Sequence, residues 1–260
     1  MADVVWTVAN YSSGRFARSQ VFELPFMMTN AEATSRAAWD FVQKYAQDEY
    51  KDVKLLAAHV HGPGVIFSKN KPVLKLEDLK GMKVRGPTPT VTKMLGMMGA
   101  TPVGMPVPAV SDALSKGVID GAVIPFEVAP GLKVHELTKF ATETEKNSPA
   151  LYTVFFIVPM NKAKYESLPP DLKAVIDKNS GREFSAFLGK TQEGNDVPSR
   201  KVFADTPGYT INLLPHAELE RWKKATSTLD DEWIADMNKK GLNGQAMYDD
   251  ALKMIKGYTK

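Results

Sequence analysis

Arg85 is the side chain best placed to do chemistry in this chain. It stands where a short strand candidate, Met82–Val84, ends, and Thr88 can cap a helix whose first position is Pro89. Val91, Met94, Leu95 and Met98 then fall at helical spacing, and Gly99 stops the run. A guanidinium at a strand's carboxyl end, within reach of a helix N-terminus, presents a planar fork of donors in a positive local field. That arrangement suits a carboxylate. The ordinary alternative is a surface arginine paired with Glu77 or Asp78.

Other candidates cluster near strand ends. Tyr11 and Arg15 lie in the loop after the first strand, and Tyr11 joins an apolar body to a polar tip, which suits a ligand wall or an exposed surface. His59 and His61 share one face of a strand. Two histidines could hold a metal, but no third ligand stands at sensible spacing, so His61 is read as lining the cleft and donating one hydrogen bond. Ile124 ends another strand and cannot hydrogen-bond through its side chain. Phe126 either stacks on a ligand or belongs to the core, and Glu127 either accepts from a hydroxyl or amine or is a solvated loop carboxylate. Met94, Met97 and Met98 make a helix face that reads as core.

The positioning elements alternate. A core strand begins at once, Asp3–Ala9, with Val4, Val5, Trp6 and Val8 apolar. Thr29 to Glu32 reads as a capping box, opening a helix with Ala38, Phe41, Val42, Tyr45 and Ala46 inward. Lys54–His61 is the next strand, and Leu151–Pro159 is a continuous apolar one, as a strand covered on both faces should be. Pro169-Pro170 begins a long helix with Leu172, Val175, Ile176, Phe184, Phe187 and Leu188 in its buried stripe. Tyr209–Leu214 is a last strand, and the remainder is amphipathic helix with Leu219, Trp222, Leu229, Trp233, Ile234 and Met237 inward. Strand–helix alternation implies a largely parallel sheet, which binds ligands outside the strands' carboxyl ends.

Composition bounds the function. At 260 residues, 43% hydrophobic and 24% charged, the chain can bury a full core and form one large or two modest domains. A net charge of +3 is too small to point to nucleic acid or an anionic membrane, and no apolar run approaches the roughly 18 residues that span a bilayer. With no cysteine, disulfides, thiolate metal sites and cysteine nucleophiles are excluded. The start of the chain lacks the basic residues and uninterrupted apolar centre of a signal peptide. GxSxG, P-loop, GxGxxG and HExxH motifs are absent, which weighs against an α/β enzyme acting on a small acid.

The stretch Leu79–Pro125 resembles the solute-binding proteins of tripartite ATP-independent periplasmic (TRAP) transporters, the DctP-like family. The match runs through LKGMKVRGP (79–87), GATP (99–102) and IDGAVIP (119–125), is strong there, and is only general over the last 50 residues or so. The resemblance implies a two-lobed, periplasmic-binding-protein-like α/β fold with mixed, mostly parallel sheets and a long helix spanning both lobes. Its lobes are expected at 1–61 plus 154–197 and 62–153 plus 198–260. It implies that Arg85 binds the substrate carboxylate and that Thr153 matches another contact position, with Tyr152 pointing the opposite way. Ile124 stands where sialic-acid-binding relatives carry an asparagine, and Gly64 near where they place a second arginine. Ile124, Phe126 and Gly64 together point to an aromatic or otherwise apolar monocarboxylate or 2-oxo acid, with a sugar acid or C4-dicarboxylate as the alternative. The implied partners are that ligand and the membrane permease subunits, with no cofactor, no metal and no nucleic acid, and with the protein a periplasmic monomer. In the family two β-α units, about 60 residues, precede this first strand, which reads as a truncation of the first lobe. A ligand-sensing input domain is a further alternative.

Overall fold

Where each apolar strand finds cover decides the layout. The computed structural model describes residues 2–145 and 148–259. In chain order the strands are β1 (Thr7–Val8), β2 (Val53–Val60), β3 (Val65–Ser68), β4 (Lys83–Gly86), β5 (Thr101–Gly104), β6 (Gly121–Ile124), β7 (Phe140–Glu143), β8 (Phe155–Asn161) and β9 (Thr210–Leu213). The helices are α1 (Ala31–Phe41), α2 (Leu76–Leu79), α3 (Pro89–Met97), α4 (Val110–Ser115), α5 (Val134–Leu137), α6 (Lys162–Glu166), α7 (Pro170–Lys178), α8 (Arg182–Ala204), α9 (His216–Thr226), α10 (Thr228–Lys239) and α11 (Gly244–Tyr258). The smaller sheet, β1-β8-β2, is antiparallel. The larger, β5-β4-β6-β3-β7-β9, is mixed: β4 runs parallel to β5 and β6, β7 to β9, and β3 runs against β6 and β7. One lobe forms on each sheet, giving a two-lobed α/β fold.

The stretch around Arg85 folds as its residues dictate. Thr88 Oγ1 accepts from the Val91 N–H, Pro89 opens α3, and Gly99 follows it at φ 95°. Asp120 accepts from the Lys83 N–H and so ties the turn before β6 to the start of β4. Gly121 has no room for a side chain, since a Cβ would sit 2.4 Å from the Phe67 carbonyl oxygen.

Several elements depart from the sequence reading. The first strand is only β1 with a single bridge at Val4, and Val4, Val5 and Trp6 are exposed rather than core. The cap of α1 is Asn30, whose side chain accepts from Ala33 N–H, and Thr29 instead bonds Thr259. The long helix does not begin at Pro169. α7 ends, Gly181 breaks the chain at φ 94° and ψ −150°, a glycine conformation, and α8 starts afresh at Arg182.

The expected buried stripe of that helix is also wrong, because Leu172, Val175 and Phe187 face solvent. What the first part of α8 buries is small: Ser185, Ala186 and Gly189. The reason is close helix packing on α1, where a Cβ on Gly189 would lie 2.3 Å from Ser35 Oγ and 2.5 Å from the Ala31 carbonyl oxygen. The hydroxyls of Ser185 and Ser35 accept from the Ala58 and Val60 N–H groups of edge strand β2, donors that would otherwise be buried without partners.

At 23 residues, α8 is about 34 Å long and serves both lobes. Near its start it packs on α1 and β2, and near its end Arg200 pairs with Glu143 of β7 and Phe203 joins Phe67 and Phe126 in the second core. The C-terminal helices bury Leu219, Trp222, Trp233 and Ile255 in one cluster with Phe22, Phe41 and Phe155 and also with Val84, Val91 and Leu95. Their amphipathic faces go to the larger uncovered apolar surface, and α11 lies on α1.

Candidate functional site

Arg85 stands one residue before the end of β4 with its side chain wholly buried. Its Nε donates to the Met105 carbonyl and its Nη1 to the Val123 carbonyl, both at 2.9 Å. These acceptors come from the chain after β5 and from β6, the two parallel neighbours of β4. They fix the plane of the guanidinium and leave Nη2 without a hydrogen-bond partner among the described residues. Burial pushes the guanidinium pKa down from its ordinary value, yet no carboxylate of the described residues offsets the charge. A buried cation with an unpartnered amino group calls for an anion.

Arg85 lines a cavity of about 280 Å³, near the lower end of ligand pockets. Trp6, Tyr11, His61, Tyr152, Val154 and Phe156 line it together with Val107, Pro108, Ile124, Pro125, Glu127 and Val128. Trp6 stacks on Phe156 with centroids 4.8 Å apart and planes 7° apart, and its indole N–H donates to His59 Nε2 at 2.8 Å. Tyr152 is wholly buried, and its hydroxyl, like Arg85 Nη2, has no partner among the described residues. The Tyr11 hydroxyl accepts from the Val107 N–H at 3.1 Å and so crosses between the lobes. Two open donors at one place and flat apolar walls around them fit a carboxylate on a planar apolar body.

The family model for bacterial extracellular solute-binding proteins, family 7 (DctP), matches residues 1–248. The chain belongs to this family. A solved TRAP solute-binding protein from Rhodoferax ferrireducens T118, in complex with copurified benzoate, is 49% identical, with a TM-score of 0.97 over 99% of this chain and 80% of that one. A marine metagenome TRAP solute-binding protein specific for aromatic acid ligands, with co-crystallised 3-hydroxybenzoate, is 48% identical, with a TM-score of 0.96 over 100% of this chain and 80% of that one. The C4-dicarboxylate-binding periplasmic protein DctP of Rhodobacter capsulatus is 25% identical over 216 residues, 82% of this chain and 63% of that protein. The chain thus spans somewhat less than two thirds of that relative's length.

In this solute-binding protein five of the seven expected site residues meet at the cavity: Tyr11, His61, Arg85, Ile124 and Glu127. Phe126 does not. β6 ends at Ile124, so the pleat no longer sets the next side chains, and Phe126 turns inward to pack edge-on against Phe67 and Phe203. Thr153 does not line the cavity either; its hydroxyl donates to the His61 carbonyl at 2.8 Å, behind the wall. Its neighbour Tyr152 takes the cavity position, so the opposite direction expected for Tyr152 is the direction of the ligand space. Arg15 is exposed and lies near Asp52. Thr88 and Pro89 are absent from this cavity's lining, so Tyr152, rather than the α3 N-terminus, lines it together with Arg85.

His61 also differs from its expected role. Its Nδ1 donates to the Gly62 carbonyl, which leaves Nε2 of the neutral ring as an acceptor. Glu127 is pinned through its backbone N–H to Asp196 Oδ1 at 2.8 Å, and its carboxylate accepts from Gln192 Nε2 at 3.1 Å. Burial pushes the Glu127 carboxyl up, and it pushes Asp196 up to about 7, with Glu127 and Glu193 adding repulsion. The sequence reading missed Trp6 and Phe156 as wall residues. The aromatic density of residues 152–156 was a signal, but nothing local ties it to Trp6.

Beneath the site lies Glu23, wholly buried, with Oε1 accepting from the Phe155 N–H at 3.1 Å. Burial raises its carboxyl from an ordinary 4.5 to about 7, against bonds from Asn10, Phe155 and Thr88. Those partners adjoin Tyr11, Phe156 and Pro87 of the cavity wall. A carboxyl that titrates higher folded than unfolded stabilises the fold below about 4.5, and that stabilisation fades as pH rises towards 7. The buried neutral histidines His59 and His61, both lowered to about 4, have the opposite sign, gaining stability as pH rises to 6.5. Total stability therefore mixes both, and a single variant separates them. Glu23→Gln is expected to gain on the wild type by on the order of 2 kcal/mol between pH 5 and pH 8. Denaturant melts of both proteins at the two pH values check this, and an unchanged difference would refute the assignment.

Proposed function

We propose that this protein captures an aromatic monocarboxylate between its lobes, with the acid held by Arg85 and the ring between Trp6, Phe156 and the apolar second-lobe wall. The observation that carries this is Arg85 itself: a fully buried cation, clamped in orientation by two carbonyls, with its remaining donor open beside the Tyr152 hydroxyl. The aromatic acids bound to the two solved relatives at 48–49% identity support the ligand class. Ile124 where a polar contact would favour sugar acids supports it too.

The lobes proposed are 1–61 with 154–197 and 62–153 with 198–260, with α9 to α11 lying back across the first. Closure of such lobes would dry the site and strengthen the ion pair. The proposed role is non-enzymatic: a periplasmic monomer that hands its ligand to TRAP membrane permease subunits. No group is offered as a nucleophile or acid–base pair.

Thermal shift against a library of carboxylic acids tests the reading. Benzoates or phenylacetates at a hundredfold over Kd are expected to raise Tm by about 5–10 °C, with succinate and sialic acid producing little. A larger shift from a dicarboxylate or a sugar acid, or consumption of the bound acid, would overturn it.

A further inference from the structure

Resting on that reading and refining it, we propose that the preferred ligand is an aromatic acid that also bears a hydroxyl, whose O–H is received by His61 Nε2. His61 is 2% exposed and lines the cavity. Its Nδ1 faces the Gly62 carbonyl and, at 3.3 Å, Thr153 Oγ1. The Thr153 hydrogen is already committed to the His61 carbonyl at 2.8 Å, so Thr153 Oγ1 can only accept from the ring. Both neighbours of Nδ1 therefore require a hydrogen on it. Burial keeps the imidazole neutral, lowering it to about 4. A neutral imidazole has one N–H, and here it is spent. Nε2 is left as the lone-pair acceptor of the ring, on a residue that lines the cavity.

Tyr152 cannot serve Nε2 from where it stands. Its ring meets His61 edge to face at 5.6 Å and 84°, and its hydroxyl has no partner. Of the other aromatic donors in the wall, Trp6 has its N–H committed to His59, and the Tyr11 hydroxyl is held at the Val107 N–H and beside Arg85. A carboxylate satisfies Arg85 Nη2 and the Tyr152 hydroxyl, but it only accepts and offers nothing to Nε2. An unsubstituted aromatic acid thus strips water from His61 without replacing it, and sites built around a polar partner discriminate against ligands that lack it. A ligand hydroxyl supplies the missing donor.

Matched ligands separate donor from size. Titration calorimetry compares meta- and para-hydroxybenzoate with the corresponding fluorobenzoates, which place an atom that cannot donate at the same position, and compares mandelate with phenylacetate. At least one hydroxylated acid is expected to bind about tenfold more tightly than its match. The preference is expected to collapse in His61→Phe, a ring of similar shape without the acceptor. On the wild type alone, 15N spectra of His61 are expected to show Nδ1 protonated and Nε2 shifted when the hydroxylated acid binds. Equal affinities across every pair, a preference that persists in His61→Phe, or a proton found on Nε2 would each overturn the proposal while leaving aromatic acid binding intact. If no aromatic acid binds at all, the underlying reading fails and takes this one with it.

Discussion

Arg85→Ala is expected to reduce affinity for an aromatic acid by at least a hundredfold, the largest effect of any single change at the site. Truncating one partner of a buried charged pair costs about 2–5 kcal/mol, and here the remaining partner is a carboxylate left in an apolar slot. Arg85→Lys should recover only part, since a single ammonium cannot hold both the Met105 and Val123 carbonyls and still present a donor to the cavity. Both variants orphan at least one buried carbonyl, so the unliganded melting temperature will fall as well. The deciding measurement is therefore the ligand-induced shift, taken against each variant's own baseline. An unchanged shift in Arg85→Ala would remove Arg85 from the site.

Gly64→Ala is expected to damage both stability and binding. A Cβ there would sit 2.0 Å from Tyr152 Cε1 and 2.5 Å from Cζ, inside a fully buried ring. Tyr152 cannot step aside cheaply, because its carbonyl accepts from the Gly64 N–H at 3.0 Å and its ring packs against His61. Overpacking of this kind costs about 1–3 kcal/mol, or several degrees in Tm, and the displaced ring carries the hydroxyl proposed to assist Arg85. Affinity should fall at least tenfold. Gly194→Ala makes the control: the same added methyl, in α8, with nothing within 4 Å and an ordinary helical backbone. It should stabilise by about 0.5–1 kcal/mol. A Gly64→Ala protein that melts and binds like the wild type would mean that Tyr152 is free to move.

The position once notable only for lacking a second arginine thus has a steric reason of its own. Gly64 is small because the Tyr152 ring lies on top of it, and Tyr152 in turn lines the cavity. Similar logic explains the misread long helix. Phe187 and Val175 looked inward on a helical wheel, but α8 approaches α1 too closely for large side chains, and its inner face is serine, alanine and glycine. Hydrophobic periodicity finds a buried face only where the gap is wide enough to hold apolar bulk.

What the sequence determined by itself is local. The Thr88–Pro89 cap, the Gly99 stop, the buried strand Gly121–Ile124 and the strand-end place of Arg85 all follow from contacts a few residues apart, where propensity and spacing act directly. The family could be named from the same stretch. Only the tertiary structure decided which side chains share the cavity. Trp6 and Phe156 meet across 150 residues through the antiparallel pairing of β1 with β8, and Phe126 leaves the site because its strand ends two residues earlier. It also decided which nitrogen of His61 is free, since that depends on a carbonyl and a hydroxyl fixed by folding. Chain periodicity orders neighbours along an element, whereas a site is assembled from the loose ends of several, where no period holds.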